Sequence, residues 1–552
     1  MTNSRTGARA LVECLLANEV EIGFGVPGES YLAVLDALHD VGDQFRFINC
    51  RNEGGGAFMA EAYGKLTGKP GVLFVTRGPG ITNASIGIHT AMQDSSPMVV
   101  FVGQIETSMR GREAFQELDY KAIYSDMAKW VVEVDDADRV PELVSRAFKE
   151  AISGRPGPVI VALPEDMLVQ QTVAVTRERA LAVKPHATDA DAKAVMDQLS
   201  KAKKPVMIVG GAGWNDNGRR ALNQFAQAHQ LPVIVTFRNQ DLINNYGPCY
   251  IGDAGFGIAP EIRQFLDESD LLLAVGVRFG ETLTDGYTLF NPVDFQKQLI
   301  HIHPSERELN KIFSADLPIL SCPNSAMNLL ASQPVLENQP WADRTRKARQ
   351  AWEAGLAVRP QPGPVDMGEI MEHLRDVLPE DTIVTNGAGN FAIWAGRYLH
   401  YGNGKVLLGP QAGSMGAGVP ASVMAQLVDP KRFVLCFAGD GDFQMTGTEL
   451  GTAQQYGATP VILLLNNQTY GTIRMHQERE YPGRVSGTDL VNPDFVAFAK
   501  AYGFSAERVE RTQDFAAAFE RACESPSGAL IELMIDQEGL SPRATVSEMR
   551  SR

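Results

Sequence analysis

The sequence predicts an α/β protein of three domains, each with a central, mostly parallel sheet flanked by helices. Three observations predict it. Short, continuous apolar runs recur between amphipathic segments, the pattern of strands buried on both faces. The 552 residues are more than a single core holds at about 150 residues per domain. Two breaks, a polar stretch over 171–188 and a proline-rich one over 333–364, divide the chain.

The first domain is assigned to 1–172, with strands at Phe47–Asn49, Gly71–Thr76, Met98–Val102 and Pro158–Leu163. The second, 190–335, has runs at Val206–Val209, Val233–Val235, Leu271–Val275 and Leu299–Ile302. The third, 366–540, has them at Thr382–Val384, Phe433–Phe437, Val461–Leu465 and Ala529–Leu533. The first and third share their size and alternation, which suggests a related fold. The polar tail from Leu540 to Arg552 needs a docking surface to be ordered.

Composition narrows the function classes. Acidic residues outnumber basic ones by 66 to 50, a balance that disfavours nucleic-acid or anionic-membrane binding. No apolar run approaches the ~18 residues of a membrane helix. The opening Met1–Arg5 lacks a signal-peptide core. The six cysteines show no CxxC spacing, against a zinc site or a disulfide framework. The expectation is a cytoplasmic protein with a small-molecule substrate.

The most informative stretch is Gly439-Asp440-Gly441-Asp442, followed 27 residues after Asp440 by Asn467, within Asn467-Gln468-Thr469-Tyr470-Gly471. Each segment ends an apolar strand, so both belong at the carboxyl edge of a parallel sheet, where such sheets bind ligands. The Asp440 carboxylate, the Asn467 amide oxygen and the Thr469 main-chain carbonyl form a partly filled oxygen set. That set suits Mg²⁺, which completes its octahedron with water and phosphate oxygens. Gly439 and Gly441 are read as letting backbone amides approach a phosphate.

This pattern resembles the thiamine diphosphate (ThDP) motif of 2-oxoacid decarboxylases and carboligases. The resemblance implies that Asp440, Asn467 and Thr469 hold Mg²⁺ against the cofactor's diphosphate, with Tyr470, Gly471 and Asp442 beside it. Glu53, in Arg51-Asn52-Glu53-Gly54-Gly55-Gly56, resembles the family glutamate that activates the cofactor at N1′ of its aminopyrimidine, with Asn52 where the family has histidine. A mere binder has no need of that acid. Gly28 in Gly25-Val26-Pro27-Gly28, and Pro79 and Asn83 in Gly78-Pro79-Gly80-Ile81-Thr82-Asn83, resemble pyrimidine-side loops. Gly413 and Met415 resemble the segment that props the cofactor into its bent shape, and Gly389 and Asn390 a further diphosphate contact. Because Glu53 and Asp440 belong to different domains, the family places the site between two subunits, implying a homodimer or homotetramer.

The resemblance covers the whole chain and runs to the acetolactate synthase large-subunit group. Glu113-Ala114-Phe115-Gln116-Glu117-Leu118-Asp119 is similar to that group's A-F-Q-E-x-D, where Phe115 and Gln116 would flank a small 2-oxoacid such as pyruvate. It implies loss of CO₂ and carboligation to a 2-hydroxy-ketone. The alternative is a ThDP-dependent lyase or decarboxylase of another donor, an acyl-CoA, an aromatic or another 2-oxoacid. Two departures bear on the substrate: Glu165 stands where the group usually has lysine, and Arg474–Glu478 lacks its tryptophan. For the central domain the group implies FAD. Gly210–Gly213 follows a strand, but Gly276–Glu281 matches only the start of the G-x-R-F-D-D-R segment, and His301 and His303 stand where aspartates are expected.

Overall fold

The computed structural model describes residues 4–551; Met1–Asn3 of the N-terminal segment considered above, and Arg552, lie outside the described residues. Three six-stranded sheets, parallel throughout, carry the fold. From edge to edge the first runs Arg46–Asn49, Ile22–Gly25, Gly71–Val75, Met98–Gln104, Pro158–Pro164, Trp130–Glu133. The third runs Val406–Leu408, Ile383–Asn386, Val434–Gly439, Val461–Asn466, Ala529–Met534, Ser505–Val509. Numbered along each sheet's own sequence, both orders are 2-1-3-4-6-5, so the first and third units are the same fold. The central sheet differs: Tyr250–Ala254, Val233–Thr236, Pro205–Val209, Leu271–Val275, Gln298–His303, Leu317–Leu320, or 3-2-1-4-5-6.

The strand order decides where a ligand can sit. At a switch point, successive crossovers leave in opposite directions and open a crevice beyond the strands' carboxyl ends. In the first sheet the switch lies between Ile22–Gly25 and Gly71–Val75, so the loops through Gly28 and Arg77–Gly80 border one crevice. In the third it lies between Ile383–Asn386 and Val434–Gly439, which brings Gly389–Asn390 beside Asp440.

The first and third units share one continuous apolar core, running from Met59, Ala60 and Val100 to Val423, Met424 and Cys436. Their seam is the helix Glu53–Thr67 against the helix Gly418–Val428. The first helix packs more extensively still on Arg77–Asp94, where a Cβ on Gly87 would lie 2.4 Å from that of Ala57. The tail is docked: a capping box at Thr545 starts the helix Val546–Arg550, which packs on Gly471–Glu480. All six cysteines are free thiols.

Candidate active site

On the third sheet, Asp440 opens a helix at the end of its strand and is 3% exposed. Its Oδ1 accepts the Gly441 N–H at 2.9 Å, and its Oδ2 accepts the Gln468 N–H and the Asn492 amide, each at 2.8 Å. Burial raises its pKa despite these donors. Among the described residues no cationic side chain is paired with it, and no three His, Cys, Asp or Glu side chains gather as a metal set. A buried carboxylate on the same rim as the Asn467 amide oxygen and the Thr469 carbonyl gives an all-oxygen donor set, which fits Mg²⁺. Asn467 and Thr469 lie on the same rim, where the Thr469 N–H donates to Asn467 Oδ1 at 3.2 Å. Together with Gly389, Asn390, Gly413, Met415, Gly439, Gly441, Asp442, Tyr470 and Gly471 they line one cavity of about 230 Å³.

Gly439, Gly441 and Asp442 also serve the protein's own packing. Gly439 and Gly441 are small because of the protein's own rings: a Cβ on Gly439 would stand 2.7 Å from Phe391, and one on Gly441 2.5 Å from Tyr470. Asp442 Oδ1 turns to the backbone, accepting Ala388 N–H at 3.0 Å and Gly416 N–H at 2.8 Å. It thereby ties the Gly389 loop to the Met415 segment. Its Oδ2 is buried without a partner, and burial pushes its pKa up to about 7.

On the first sheet, Asn52 caps the helix that Glu53 opens, accepting Gly54 N–H at 2.8 Å, which is the part the histidine's replacement plays here. Glu53 Oε2 accepts the Asn83 amide at 2.9 Å, and Oε1 lies 3.5 Å from where a Cβ on Gly80 would be. The glycines after Glu53 serve packing: a Cβ on Gly55 would meet Glu449 Oε1 at 2.2 Å. Gly28 is held close to Thr76, and Pro79 begins the exposed side of its helix. Phe115 is 70% exposed, while Gln116, at φ +66°, accepts the Gly78 N–H at 3.1 Å through its carbonyl. Arg77 ties this loop down, donating to Phe115 O at 3.2 Å and to Glu165.

Within one chain the cavity around Asp440 is lined by none of Gly28, Glu53, Pro79, Asn83, Phe115 or Gln116. Two further residues had no signal in the sequence. Asn492 reaches Asp440 from a loop 52 positions on. Glu449, fully buried, accepts the Arg51 and Asn52 N–H groups at 3.1 Å and so fixes the turn before Glu53. His301 and His303 are buried and bonded to backbone, at Val277 O and the Ser305 N–H. His89 and His476 lie at the surface.

The fold and the oxygen-lined crevice define a thiamine diphosphate-dependent enzyme, and comparison with known proteins agrees. Family models described as thiamine pyrophosphate enzyme domains match in three parts: the N-terminal TPP binding domain over residues 5–123, the central domain over 192–330 and the C-terminal TPP binding domain over 387–533. The chain belongs to this family, on its acetolactate synthase large-subunit side. It is 32% identical to the acetolactate synthase isozyme 2 large subunit of Escherichia coli, over 96% of both chains. It is 32% identical to the acetolactate synthase large subunit of Lactococcus lactis, over 96% of this chain and 93% of that one. It is 31% identical to the mitochondrial acetolactate synthase catalytic subunit of Saccharomyces cerevisiae, over 97% of this chain and 81% of that one.

Proposed function

We propose that this chain releases CO₂ from a 2-oxoacid, pyruvate, and joins the two-carbon remainder to the carbonyl of a second 2-oxoacid. With two pyruvates and one proton taken up, the products are acetolactate and CO₂. Bound ThDP supplies the electron sink for the decarboxylation. Asp440, Asn467 and the Thr469 carbonyl hold Mg²⁺ against its diphosphate. Met415 and the Gly413 backbone set the place of the aminopyrimidine. Glu53 holds a proton at its carboxylate toward the pyrimidine N1′, steadied by Asn83. Phe115 excludes water from the reacting carbon and Gln116 offers a donor to the substrate.

The observation that carries the reading is Glu53 itself, fixed by Asn83 on one side and by the Glu449-bound turn on the other. Proton exchange at C2 of bound ThDP, followed by NMR, tests it. Glu53→Gln should slow the exchange by about 10²–10⁴-fold; equal rates in both proteins would refute it. Product analysis after turnover with pyruvate tests the substrate. One observation favours the second reading, another donor. The Phe115 loop hangs on Arg77, which is paired with Glu165 where the group has lysine. Consumption of an acyl-CoA or aromatic 2-oxoacid in preference to pyruvate would decide for it.

The working unit is a homodimer or larger, with Glu53 of one copy facing Asp440 of another. What supports this is that Glu53 and Asn83 line no part of the Asp440 cavity within a chain, together with the exposed face of the Arg77–Asp94 helix, with Pro79, Asn83 and Ile86 in line. Mixing Glu53→Gln chains with Asp440→Ala chains should restore activity that neither has alone. No recovery after subunit exchange would place both halves in one chain.

FAD is the proposed occupant of the central unit, whose strand order 3-2-1-4-5-6 is that of dinucleotide-binding sheets. Gly211, Ala212 and Gly213 leave its switch point and line a cavity of about 750 Å³ with Lys65, Arg219 and Arg238. Gly213, at φ +84°, has nothing within 4 Å of an added Cβ, leaving room for a ligand. Flavin absorbance released on heat denaturation tests this, and a colourless supernatant would overturn it. No helix is long and apolar enough to cross a membrane among the described residues. With six free thiols, a reducing cytoplasm is the proposed compartment.

A further inference from the structure

We infer that Asp94 is a positioning residue for the cofactor, acting through the segment Gly409–Gly416. The inference rests on the ThDP reading above. In that segment Gly413 and Met415 line the diphosphate-side cavity. The other six residues are held by side chains that come from all three units of the chain. Lys65 donates to Gly409 O at 2.5 Å, and Arg238 to Pro410 O at 2.6 Å. The Gln411 and Ala412 N–H groups donate to Asp94 Oδ2 and Oδ1 at 2.9 and 3.0 Å. Ser414 and Thr90 share a hydrogen bond of 2.6 Å. The Gly416 N–H donates to Asp442 at 2.8 Å, and its carbonyl accepts from Thr446 at 2.6 Å.

Asp94 is the centre of this cradle. Its side chain is fully buried, and its charge is met by Lys65 at 2.8 Å. Both oxygens are needed, one for each of two successive backbone N–H groups, and that pair aims the chain just before Gly413. An asparagine in its place would turn an NH₂ group toward one of those N–H donors and leave Lys65 with Glu61 as its nearby carboxylate in place of a direct ion pair. Asp94 and Lys65 lie toward the carboxyl ends of the two helices, Arg77–Asp94 and Glu53–Thr67, whose amino-terminal halves carry Asn83 and Glu53. The longer of these spans about 27 Å at 1.5 Å per residue. In the proposed dimer one helix pair therefore serves two sites: it presents Glu53 to one and braces Met415 in the other.

The test is calorimetric titration of the full chain, stripped of cofactor, with ThDP and separately with inorganic pyrophosphate, both with Mg²⁺. Pyrophosphate probes Asp440 and its neighbours alone; ThDP also needs the Gly413–Met415 contact. Asp94→Asn should weaken ThDP by about tenfold, the cost of a buried unpaired polar group, while changing pyrophosphate by no more than about twofold. Thr90→Val, which removes the bond to Ser414 and a local one to Ile86 O within its own helix at nearly equal volume, guards against a misfolded Asp94 variant. It should shift the same ratio in the same direction by a smaller factor. Unchanged ThDP affinity in both variants would overturn the inference, and so would equal losses for ThDP and pyrophosphate. Wild-type protein that binds pyrophosphate but not ThDP would instead sink the functional reading beneath it.

Discussion

On the diphosphate side Asp440 is buried and already receives three N–H donors, whereas on the pyrimidine side Glu53 receives one side-chain amide and Phe115 stands open to solvent beside it. Both halves grow from the switch point of a sheet with the same strand order. The difference lies in what each must do. A divalent cation and a diphosphate demand a rigid oxygen cage that exists before the ligand arrives, and one chain can build it alone. A carboxylate that hands a proton to a ring needs its second wall only when that ring is present, and a partner copy can bring it. Preorganisation is thus concentrated where charge is fixed, and in the proposed dimer closure is left to assembly.

The comparison breaks first at the metal. Asp440→Ala should lower Mg²⁺-dependent ThDP affinity by about 100-fold or more, since the remaining oxygens are neutral. Undiminished calorimetric affinity would show that the cage does not depend on its one carboxylate. Next in size is the contrast with Glu53→Gln, which removes the acid and keeps the shape. ThDP affinity should stay within about threefold while C2 proton exchange falls by the 10²–10⁴-fold given above. A variant that loses affinity as severely as Asp440→Ala would erase the division of labour between the halves.

Much of the placement of these residues was legible in the sequence, because they lie at the ends of apolar strands. Asp440 and Asn467 follow Val434–Gly439 and Val461–Asn466, fully buried runs that read as strands without help from tertiary structure. Three edge strands of mixed burial were not legible. Trp130–Glu133, Leu317–Leu320 and Ser505–Val509 are edge strands with one wet side. Ile22–Gly25 hides behind two glycines, imposed by Phe45 and by Phe74 O, which a Cβ would meet at 2.6 and 2.3 Å. Within the glycine run after Glu53, Gly55 makes room for Glu449, while Gly56 makes room for Cys50 and Leu73. Sequence shows that a backbone must come close to something; only packing says to what. Asn492 and Glu449 act across 52 and nearly 400 positions, beyond any spacing rule.

A smaller effect sharpens the link between halves inside one chain. Gly55→Ala forces a methyl against Glu449, whose carboxylate holds the turn into Glu53. Overpacking of this kind costs about 1–3 kcal/mol, read as a lowered denaturant midpoint. The exchange rate at C2 should fall with it, whereas Mg²⁺–pyrophosphate binding on the other half should not change. A loss confined to stability would mean that Glu449 is only mortar between the units.

The smallest effect concerns the tail that closes over the diphosphate half. Leu540 O accepts from Asn390 at 2.5 Å and its side chain lines the cavity, so the segment beyond it decides how firmly that wall stays in place. Its anchor is Glu478, which receives two bonds of 2.7 Å from Arg550 and one of 3.0 Å from Arg474. The Arg550 bonds, followed by the Gly483 N–H and Arg474, hold the Glu478 carboxylate down to about 2. A carboxyl group depressed in the folded state stabilises it above the unfolded pKa of about 4.3 and loses that contribution as pH falls from there toward 2. Amide exchange in Val546–Arg550, corrected for intrinsic rates, should therefore rise across that interval before the sheets lose protection. Glu478→Gln should show the same local rise at neutral pH, with the midpoint of global unfolding within about 0.5 kcal/mol of wild type, because a five-residue helix contributes little by itself. If the helix stays protected in Glu478→Gln, the tail is held by Arg359, which donates to Glu548 at 2.7 and 2.9 Å, and by the capping box instead. The wall at Leu540 would then be as fixed as the Asp440 cage it covers.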